Sequence, residues 1–338
     1  MPTTFTPQRT NLRNIVLSAK AQLTAGEVLA DASLTYRARP ETSAFMQHLY
    51  EKESDYAYAG KNGRSAATES RLIAQSTTLN LNGRLDDFLA GWGFAFCMGT
   101  DAYTPGTDPA PHTHIFTWDD TDGPSLTTNI YGEDSSGLKR KWSDMAISQI
   151  VLSGANKGSI MMKVTGLGLG TVTDGAMTAL PTLPTAQYLY GSDSIVSIGP
   201  AGTPVSLSPR VLSWEATFDA AKELFRAVGC GTKPYFVRKG IPLTKLKLVI
   251  AVDTTTDVRD WVKNQTPLEA TIAATSGAAS LTITYPNIIL PKYELSEQDK
   301  YTAYTLDLDQ ESILQPTGGG DAVTVTVLNT DVAYLATV

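Results

Sequence analysis

Two histidines separated by a single residue are the strongest candidates for metal chemistry in this chain. His112 and His114 precede Asp119, Asp120 and Asp122, and imidazole and carboxylate groups are common ligands of Zn²⁺. A zinc site also requires three or four ligands in a fixed geometry, with partners that orient them. The acidic residues lack the glycine and the twelve-residue spacing of a calcium-binding loop. The pattern therefore favours a solvated or interface loop, and we predict no metal ligand and no cofactor.

A glycine-rich run has the composition of a phosphate-binding loop but not its context. The run Gly166-Leu167-Gly168-Leu169-Gly170 follows a predicted strand. No helix with a buried face opens after it, and no acidic residue lies at the spacing of a dinucleotide-binding motif. We therefore interpret the run as part of a flexible linker.

No motif indicates catalysis. The chain has three histidines and no Gly-x-Ser-x-Gly sequence, which is the nucleophile motif of many hydrolases. A Ser-His-Asp triad assembled from distant residues stays open, but no pattern favours one. We predict no catalytic residue and no enzymatic activity.

The charge balance argues against one large class of function. The 338 residues include 27 Lys and Arg against 34 Asp and Glu, for a net charge of −7. Tight DNA binding requires clustered Lys and Arg to neutralise phosphates, and the densest basic stretch here is only Lys139-Arg140-Lys141. Sequence-specific DNA binding is therefore not expected, although DNA can pass an acidic surface without adhering.

The apolar segments do not predict membrane insertion. Residues 1–25 lack the continuous apolar core of a signal peptide. The apolar run around Phe94–Met98 is too short to cross a bilayer. We expect a protein that is made in the cytoplasm and has no membrane partner.

Hydrophobic periodicity in the first half predicts a strand, a helix and a hairpin. Thr77–Asn82 alternates with period two and indicates a half-buried strand. Apolar residues then recur every three or four positions, which predicts a helix over Asp86–Met98. Leu89 and Trp92 are the candidate core residues of that helix. Ala146–Leu152 and Ser159–Thr165 are predicted to pair as a hairpin.

The second half repeats this order of elements. Val211–Thr217 predicts a strand, and the amphipathic segment Asp219–Val228 predicts a helix with Leu224 and Phe225 on its buried face. Further strands are predicted at Leu243–Val252, Leu268–Ala273, Ala279–Tyr285, Tyr301–Asp307 and Val323–Asn329, with a short helix at Asp257–Asn264.

The repeated order predicts a mainly β chain with short helices, duplicated in tandem. Convergence of generic β patterns is the alternative. The predicted organisation is an N-terminal arm at residues 1–30, a first β domain at 31–165 with long loops at 41–75 and 101–124, a linker at 166–194, and a second β domain at 195–338.

The order of these segments resembles the tail tube family of siphophages, which have long non-contractile tails. The first half carries the resemblance through His112-Thr113-His114-Ile115-Phe116, Pro124-Ser125-Leu126-Thr127, Gly137-Leu138-Lys139 and the hairpin Ile147–Leu152/Ser159–Val164. The second half carries it through Ser213–Gly231, Leu246–Val252 and Ala279–Leu290. The likeness covers residues 30–330 and is made of loose strand patterns. The polar segment 41–75 departs from it.

The resemblance implies a β-sandwich or half-barrel unit with a flanking helix, located in the virion. Six units would close a ring, and stacked rings would conduct DNA without sequence-specific contacts. Two tandem units per chain would give a homotrimeric, pseudo-hexameric ring, whereas one large unit would give a homohexamer. A tape measure protein and a tail terminator are the further partners that the resemblance implies.

A bore that DNA traverses should carry little positive charge on its wall. Alternation along the strands nominates Glu215 and Asp219 in one half, and Asn80, Asn82 and Asp86 in the other, as lumen-facing residues. The alternative is that these residues face solvent on the outside of the tube.

Other functions stay open at the level of sequence. The chain could be a different virion part, such as a tail terminator or a capsid decoration protein. It could also be a carbohydrate-binding β-sandwich adhesin, which would present exposed aromatic residues.

Overall fold

β-Strands dominate the computed structural model of the chain. It describes residues 12–39, 41–59, 64–107, 111–134, 138–183, 185, 187–252, 258–298, 300–316 and 319–335. The mainly β class predicted from the sequence is confirmed, with two α-helices among the described residues.

The strands follow one another with few helical interruptions. In the first half they are β1 (Leu12–Ser18), β2 (Leu34–Arg37), β3 (Ser43–Ala59), β4 (Arg64–Arg84), β5 (Ala102–Thr104), β6 (His112–Phe116), β7 (Thr128–Asp134), β8 (Lys139–Ala155) and β9 (Met161–Asp174). In the second half they are β10 (Ser194–Pro200), β11 (Val205–Ser206), β12 (Val211–Asp219), β13 (Glu223–Phe225), β14 (Phe236–Arg238), β15 (Leu243–Ala251), β16 (Leu268–Ser276), β17 (Ala279–Ile288), β18 (Glu294–Gln298), β19 (Tyr301–Leu308) and β20 (Thr324–Asn329). The helices are α1 (Asp87–Met98) and α2 (Val258–Asn264).

Eleven strands form a large antiparallel sheet. One long path runs β18-β19-β15-β12-β8-β9-β4-β3, and β7, β1 and β2 branch from β8 to give a second path of equal length. One edge of β8 serves two partners, because its first part pairs with β7 and its last part with β12. The register of the β8–β9 pair shifts between Ser143 and Met145, and the intervening Asp144 has φ of 60°. A second shift, between Ile147 and Gln149, lies between the part of β8 that pairs with β7 and the part that pairs with β12.

Seven strands form a second antiparallel sheet in the order β11-β10-β16-β17-β20-β6-β5. Strands in both sheets alternate between buried apolar and exposed polar residues, as a half-buried sheet requires. In β15, for example, Leu246 and Leu248 are buried while Lys245 and Lys247 are exposed. The buried faces of the two sheets therefore form a sandwich with a shared core.

Helix α1 lies inside this sandwich. It contacts β8 of the large sheet and β6, β17 and β20 of the small sheet, and every residue from Phe88 to Met98 is buried. A helix that is apolar on all sides is a core helix, so α1 does more than flank one sheet as the resemblance implied. Its predicted span, Asp86–Met98, is confirmed.

The two halves of the chain are interleaved in both sheets. Strand β8 of the first half pairs with β12 of the second, and β6 of the first half pairs with β20 of the second. One core cluster includes residues from both halves, such as Leu79 and Leu281. The sheets therefore do not divide at the predicted linker.

Three segments predicted to be irregular contain strands. The predicted loop 41–75 holds most of the β3–β4 hairpin, the loop 101–124 holds β5 and β6, and the linker 166–194 begins within β9. Strand β1 lies in the predicted arm. Polar and apolar residues alternate only weakly in segment 41–75, because β4 pairs with β9 only from Thr77 onward. Before Thr77, β4 pairs with β3 and with no third strand among the described residues.

The predicted helix Asp219–Val228 is also wrong. β12 continues to Asp219, and Ala221 has φ of 46°, a conformation that interrupts regular structure. Glu223–Phe225 then pairs with Phe236–Arg238 as a two-stranded sheet. Helical spacing in the sequence favours a helix only weakly. Pairing between these two strands decides the structure of the segment instead.

The described helices are short. α1 has 12 residues and is therefore about 18 Å long at 1.5 Å per residue. Among the residues that the structure describes, no helix has the length and apolar character needed to cross a bilayer.

Candidate assembly interface

The outer face of the large sheet, opposite the sandwich core, carries four of the five residues nominated for the bore. Asn80 and Asn82 of β4 and Glu215 of β12 are exposed, and Asp219 of β12 is half-buried. They share this face because strand pairing keeps side-chain direction constant across a lateral row.

Strand pairing sets how these residues lie relative to one another. Asn80 pairs with Thr165, Thr165 with Gln149, and Gln149 with Asp219. Within this row, Gln149 Nε2 donates a hydrogen bond to Asp219 Oδ2 at 3.0 Å. Residues far apart in the chain thus form one continuous polar surface across four strands.

Asp86 does not belong to this face, so its nomination is corrected. It is 1% exposed and caps the N-terminus of α1, where its Oδ1 accepts the Leu89 backbone N–H at 2.7 Å. Its other oxygen accepts the Tyr36 hydroxyl, and Arg39 Nε lies 4.0 Å away. Burial raises the pKa of Asp86 to about 6. Alternation missed this because the strand ends at Arg84 and the residue serves the helix.

The outer face mixes both signs of charge. Its basic residues are Arg84, Lys163, Lys245 and Lys247, and its acidic residues are Glu215, Asp219 and Asp307. Glu215 pairs across strands with Lys247, and Lys247 with Asp307. Opposite charges that face each other across strands stabilise a sheet. In this row the two carboxylates flank Lys247, so the row is not a run of basic residues of the kind that binds phosphates.

The large sheet ends in strands with one unpaired side. β18 lies at one end of the long path and β3 at the other, among the described residues. Leu295 in β18 and Tyr301 at the start of β19 are each 61% exposed. Unpaired edges present backbone N–H and C=O groups that invite another chain.

The β3–β4 hairpin extends beyond the sheet. Its strands pair from Ser43–Asn82 to Ala59–Arg64, whereas β9 covers β4 only from Thr77 to Arg84. The uncovered part is about 40 Å long at about 3.3 Å per residue. A two-stranded ribbon alone is marginally stable in water. The ribbon is therefore suited to contact with another chain.

The histidine pair lies on strand β6 and not in a loop. His114 is buried, with Nδ1 3.0 Å from Asp101 Oδ1 and Nε2 3.1 Å from the Asp331 carbonyl oxygen. Nδ1 of His112 accepts the Gly106 N–H at 3.0 Å. These contacts hold neighbouring segments together. They occupy both ring nitrogens of His114 and Nδ1 of His112.

The acidic residues near the histidines have other partners. Asp119 forms an ion pair with Lys239 at 2.5 Å and accepts the Thr121 hydroxyl at 2.7 Å. These contacts hold the pKa of Asp119 below its usual range, against the effect of burial. Across the described ranges, no three His, Cys, Asp or Glu side chains converge as a metal site.

The glycine-rich run lies in strand β9, so its interpretation as flexible linker is wrong. A Cβ on Gly166 would lie 2.8 Å from the Ala146 carbonyl oxygen, and one on Gly168 would lie 2.5 Å from Thr77 Oγ1. Glycine is required here by the close approach of neighbouring strands.

The candidate core residues separate into two groups. Leu89 is 1% exposed and Trp92 is fully buried, with Trp92 Nε1 donating to the Ser18 carbonyl oxygen at 2.9 Å. Leu224 is only half-buried and Phe225 is 39% exposed. The core placement of Phe225 is therefore wrong, because it lies on β13 and stacks on Phe236 at 4.8 Å between ring centroids.

Residues 223–238, which include β13 and β14, form a flap against the large sheet. Arg226 donates to the carbonyl oxygens of Gln75 and Thr232 at 3.0 Å each, and Leu224 and Val237 pack against Leu169. The sequence analysis missed this flap and the length of the β3–β4 hairpin. Asn62-Gly63, which is a strong hairpin-turn signal, was available for the hairpin.

Comparison with models of known protein families gives a match. A family model described as phage tail tube protein matches residues 13–330, which is nearly the whole chain. None of the curated proteins matches it.

Proposed function

The chain belongs to the phage tail tube protein family, and from that premise we propose that it is the repeating subunit of a long, non-contractile tail tube. As a family member it is a structural component of the virion tail. In the proposed tube, copies of the chain close into rings, and the rings stack to enclose the path of the DNA.

The observation that carries this proposal is that two of the terminal strands of the large sheet lie at opposite ends of one path, while β2 ends the branch. Strands β18 and β3 occupy opposite ends of one path of eight strands. Two different edges on one subunit form a heterologous contact, which closes into a ring when the rotation between subunits allows it. Ring closure would also protect edges that otherwise promote aggregation.

Six chains per ring follow from the interleaving of the halves. Both sheets and the main core combine strands from residues 31–165 and 195–338. This arrangement favours one tube unit per chain over two tandem domains. Of the two stoichiometries that the resemblance implied, we therefore propose the homohexamer.

The β3–β4 hairpin is suited to joining one ring to the next. Its uncovered ribbon is about 40 Å long at about 3.3 Å per residue, and it pairs with no third strand among the described residues. We assign it to the contact between rings, where a neighbouring subunit would cover it.

The outer face of the large sheet is the proposed wall of the bore. Asn80, Asn82, Glu215 and Asp219 contribute polar and acidic groups to it. Lys247 lies between Glu215 and Asp307 across strands, so this row presents no run of basic residues that would retain phosphates. A tape measure protein inside the tube and a tail terminator at its end are the further proposed partners.

Electron microscopy of the purified protein tests this function. Hollow tubes that lengthen with protein concentration are the expected result. Isolated rings would favour a tail terminator, and monomers that bind to capsids would favour a decoration protein. Monomers that bind specific sugars on a glycan array would favour an adhesin.

A further inference from the structure

The flap at residues 223–238 presents basic and aromatic side chains to solvent. Arg226 and Lys233 are exposed, as is Arg238, which is paired with Glu223 of the flap at 3.0 Å. Tyr235 is 66% and Phe225 39% exposed. Exposed aromatic and arginine side chains are enriched in protein interfaces. The flap therefore has the composition of a contact surface in a chain whose net charge is −7.

Two of these charges are held in place by neutral groups. The Arg226 guanidinium donates to the backbone carbonyl oxygens of Gln75 and Thr232 at 3.0 Å each. Lys233 Nζ lies 3.4 Å from Thr171 Oγ1. Hydrogen bonds to neutral oxygens fix the position of a cation without neutralising it.

The positive charge of the flap also acts on a neighbouring histidine. The pKa of His48 is lowered, first by burial and then by the charges of Lys233 and Arg140. His48 also contacts the exposed ring of Tyr50 at 4.3 Å between centroids. The electrostatic field of Lys233 on the flap thus reaches His48 at the base of the β3–β4 hairpin.

The opposite end of the large sheet has the complementary character. On and after strands β18 and β19, the exposed acidic residues are Glu294, Glu297, Asp307, Asp309 and Glu311. Leu295 and Tyr301 are exposed apolar residues among them. The exposed Lys300, and Lys292 paired with Glu294 at 3.1 Å, offset part of this charge. We call this surface the acidic edge.

The two surfaces are well separated on one chain. The flap packs on β9, and the acidic edge starts at β18, which lies five strands away along the sheet. At about 4.8 Å per strand the separation is about 24 Å. A chain with complementary surfaces at different lateral positions can bind a second copy head to tail.

We propose that the flap of one subunit docks on the acidic edge of the next subunit in the ring. This inference rests on the proposed tube function and deepens it by naming a lateral contact. Arg226 and Lys233 face carboxylates of the neighbouring β18–β19 region, while Tyr235 and Phe225 meet Leu295 and Tyr301. The charges set the register of neighbouring subunits, and the apolar side chains contribute buried area.

DNA is the other polymer that a basic and aromatic surface can bind. A second copy is favoured because the same chain supplies an acidic and apolar surface of matching composition. DNA binding by the flap is accordingly an outcome that would overturn the proposal.

Charge reversal on each surface gives a direct test. The flap variant carries Arg226→Glu and Lys233→Glu, and the edge variant carries Glu294→Lys and Glu297→Lys. Each variant alone places like charges at every contact, so its critical concentration for assembly should rise about tenfold or more. An equimolar mixture restores opposite charges when the two variants alternate. The mixture should therefore assemble near the wild-type concentration, with the same sensitivity to salt.

Matched controls separate this contact from general charge effects. Lys263→Glu, on an exposed position of α2, should leave assembly unchanged. Thermal unfolding of each variant should match the wild type. Lys233→Glu alone replaces the double flap variant if loss of the Arg226 hydrogen bonds disturbs folding.

Sedimentation and electron microscopy supply the readout. Normal assembly of either variant alone, or a mixture that stays monomeric, would overturn the docking contact while leaving the tube proposal intact. Salt-sensitive retention of duplex DNA by the wild type, lost in the flap variant, would assign the flap to DNA instead. Association of the mixed variants without any wild-type tube would support the contact and count against the tube.

Discussion

The ring of Tyr334 lies directly over Gly91 of α1, and a Cβ on Gly91 would lie 2.3 Å from Cε2 of that ring. Tyr334 is fully buried, and its backbone N–H donates to Asp101 Oδ2 at 2.8 Å. The contact fixes residues near the C-terminus against the core helix. It also explains a glycine inside a helix, where glycine costs about 1 kcal/mol relative to alanine.

Gly91→Ala should therefore destabilise the protein by about 1–3 kcal/mol through overpacking, although alanine is the better helix former. In a Tyr334→Leu background the added methyl group has more room, so the same substitution should cost less. Chemical denaturation of the four proteins in this cycle measures the coupling. A Gly91→Ala variant more stable than wild type would contradict the observed packing.

Two aromatic truncations should differ strongly in cost. Trp92 is fully buried within the sandwich, and Phe225 is 39% exposed on the flap. Trp92→Ala should lower the free energy of unfolding by about 3–5 kcal/mol. Phe225→Ala should cost about 1 kcal/mol or less, because little buried area is lost. Equal costs in urea denaturation would argue against the placement of one of the two residues.

The contribution of Asp86 and Asp331 to stability should decrease as the pH rises from 4 to 7. Burial raises the pKa of Asp86 to about 6 and that of Asp331 to about 6, above the ordinary value of 3.8. A carboxyl group with a higher pKa in the folded state binds protons more tightly when folded. Its contribution is complete below pH 3.8 and is lost as the pH rises through about 6.

Asp86→Asn should reduce this pH dependence without abolishing it, because Asp331 contributes in the same direction. Asparagine retains the ability to cap α1, so the variant should fold. Asp86→Ala is the control that removes the cap, with an expected cost of about 0.5–2 kcal/mol. Identical pH profiles for the wild type and Asp86→Asn would show that Asp86 is not the responsible group.

Shortening the β3–β4 hairpin should separate folding from assembly. Removing Glu53–Arg71 and joining Lys52 to Leu72, which are paired residues, through an Asn-Gly turn leaves the part covered by β9 intact. The shortened monomer should unfold at the wild-type temperature but form no long tubes. Tube formation at the wild-type concentration would exclude the hairpin from the contact between rings.

Local pattern predicted much of this fold, and it failed where tertiary context decided. Strands with one face in the core, such as Leu243–Ala251 and Leu268–Ser276, showed alternation and were predicted correctly. The part of the β3–β4 hairpin before Thr77 pairs with no third strand among the described residues, and alternation did not predict it. Segment 219–228 has helical spacing, but pairing of Glu223–Phe225 with Phe236–Arg238 overrides it.

The candidate interface was harder to predict than the fold. Alternation placed Asn80, Asn82 and Glu215 on an exposed face, because a strand has only two faces. It misassigned Asp86, because the side chain of a helix N-cap turns toward the backbone N–H groups of the helix and does not follow strand alternation. These residues lie on one surface because β8 and β9 lie between β4 and β12 in the sheet. That pairing is long-range and has no local signature.

A cryo-EM reconstruction of the assembled wild-type protein tests the central claim most directly. The account predicts a hollow tube of stacked rings with six chains each, in which the outer face of the large sheet, including Asn80, Asn82 and Glu215, lies on the inner radius. Rings of three chains, an inner wall lined mainly by Lys and Arg, or the absence of any hollow assembly would contradict it.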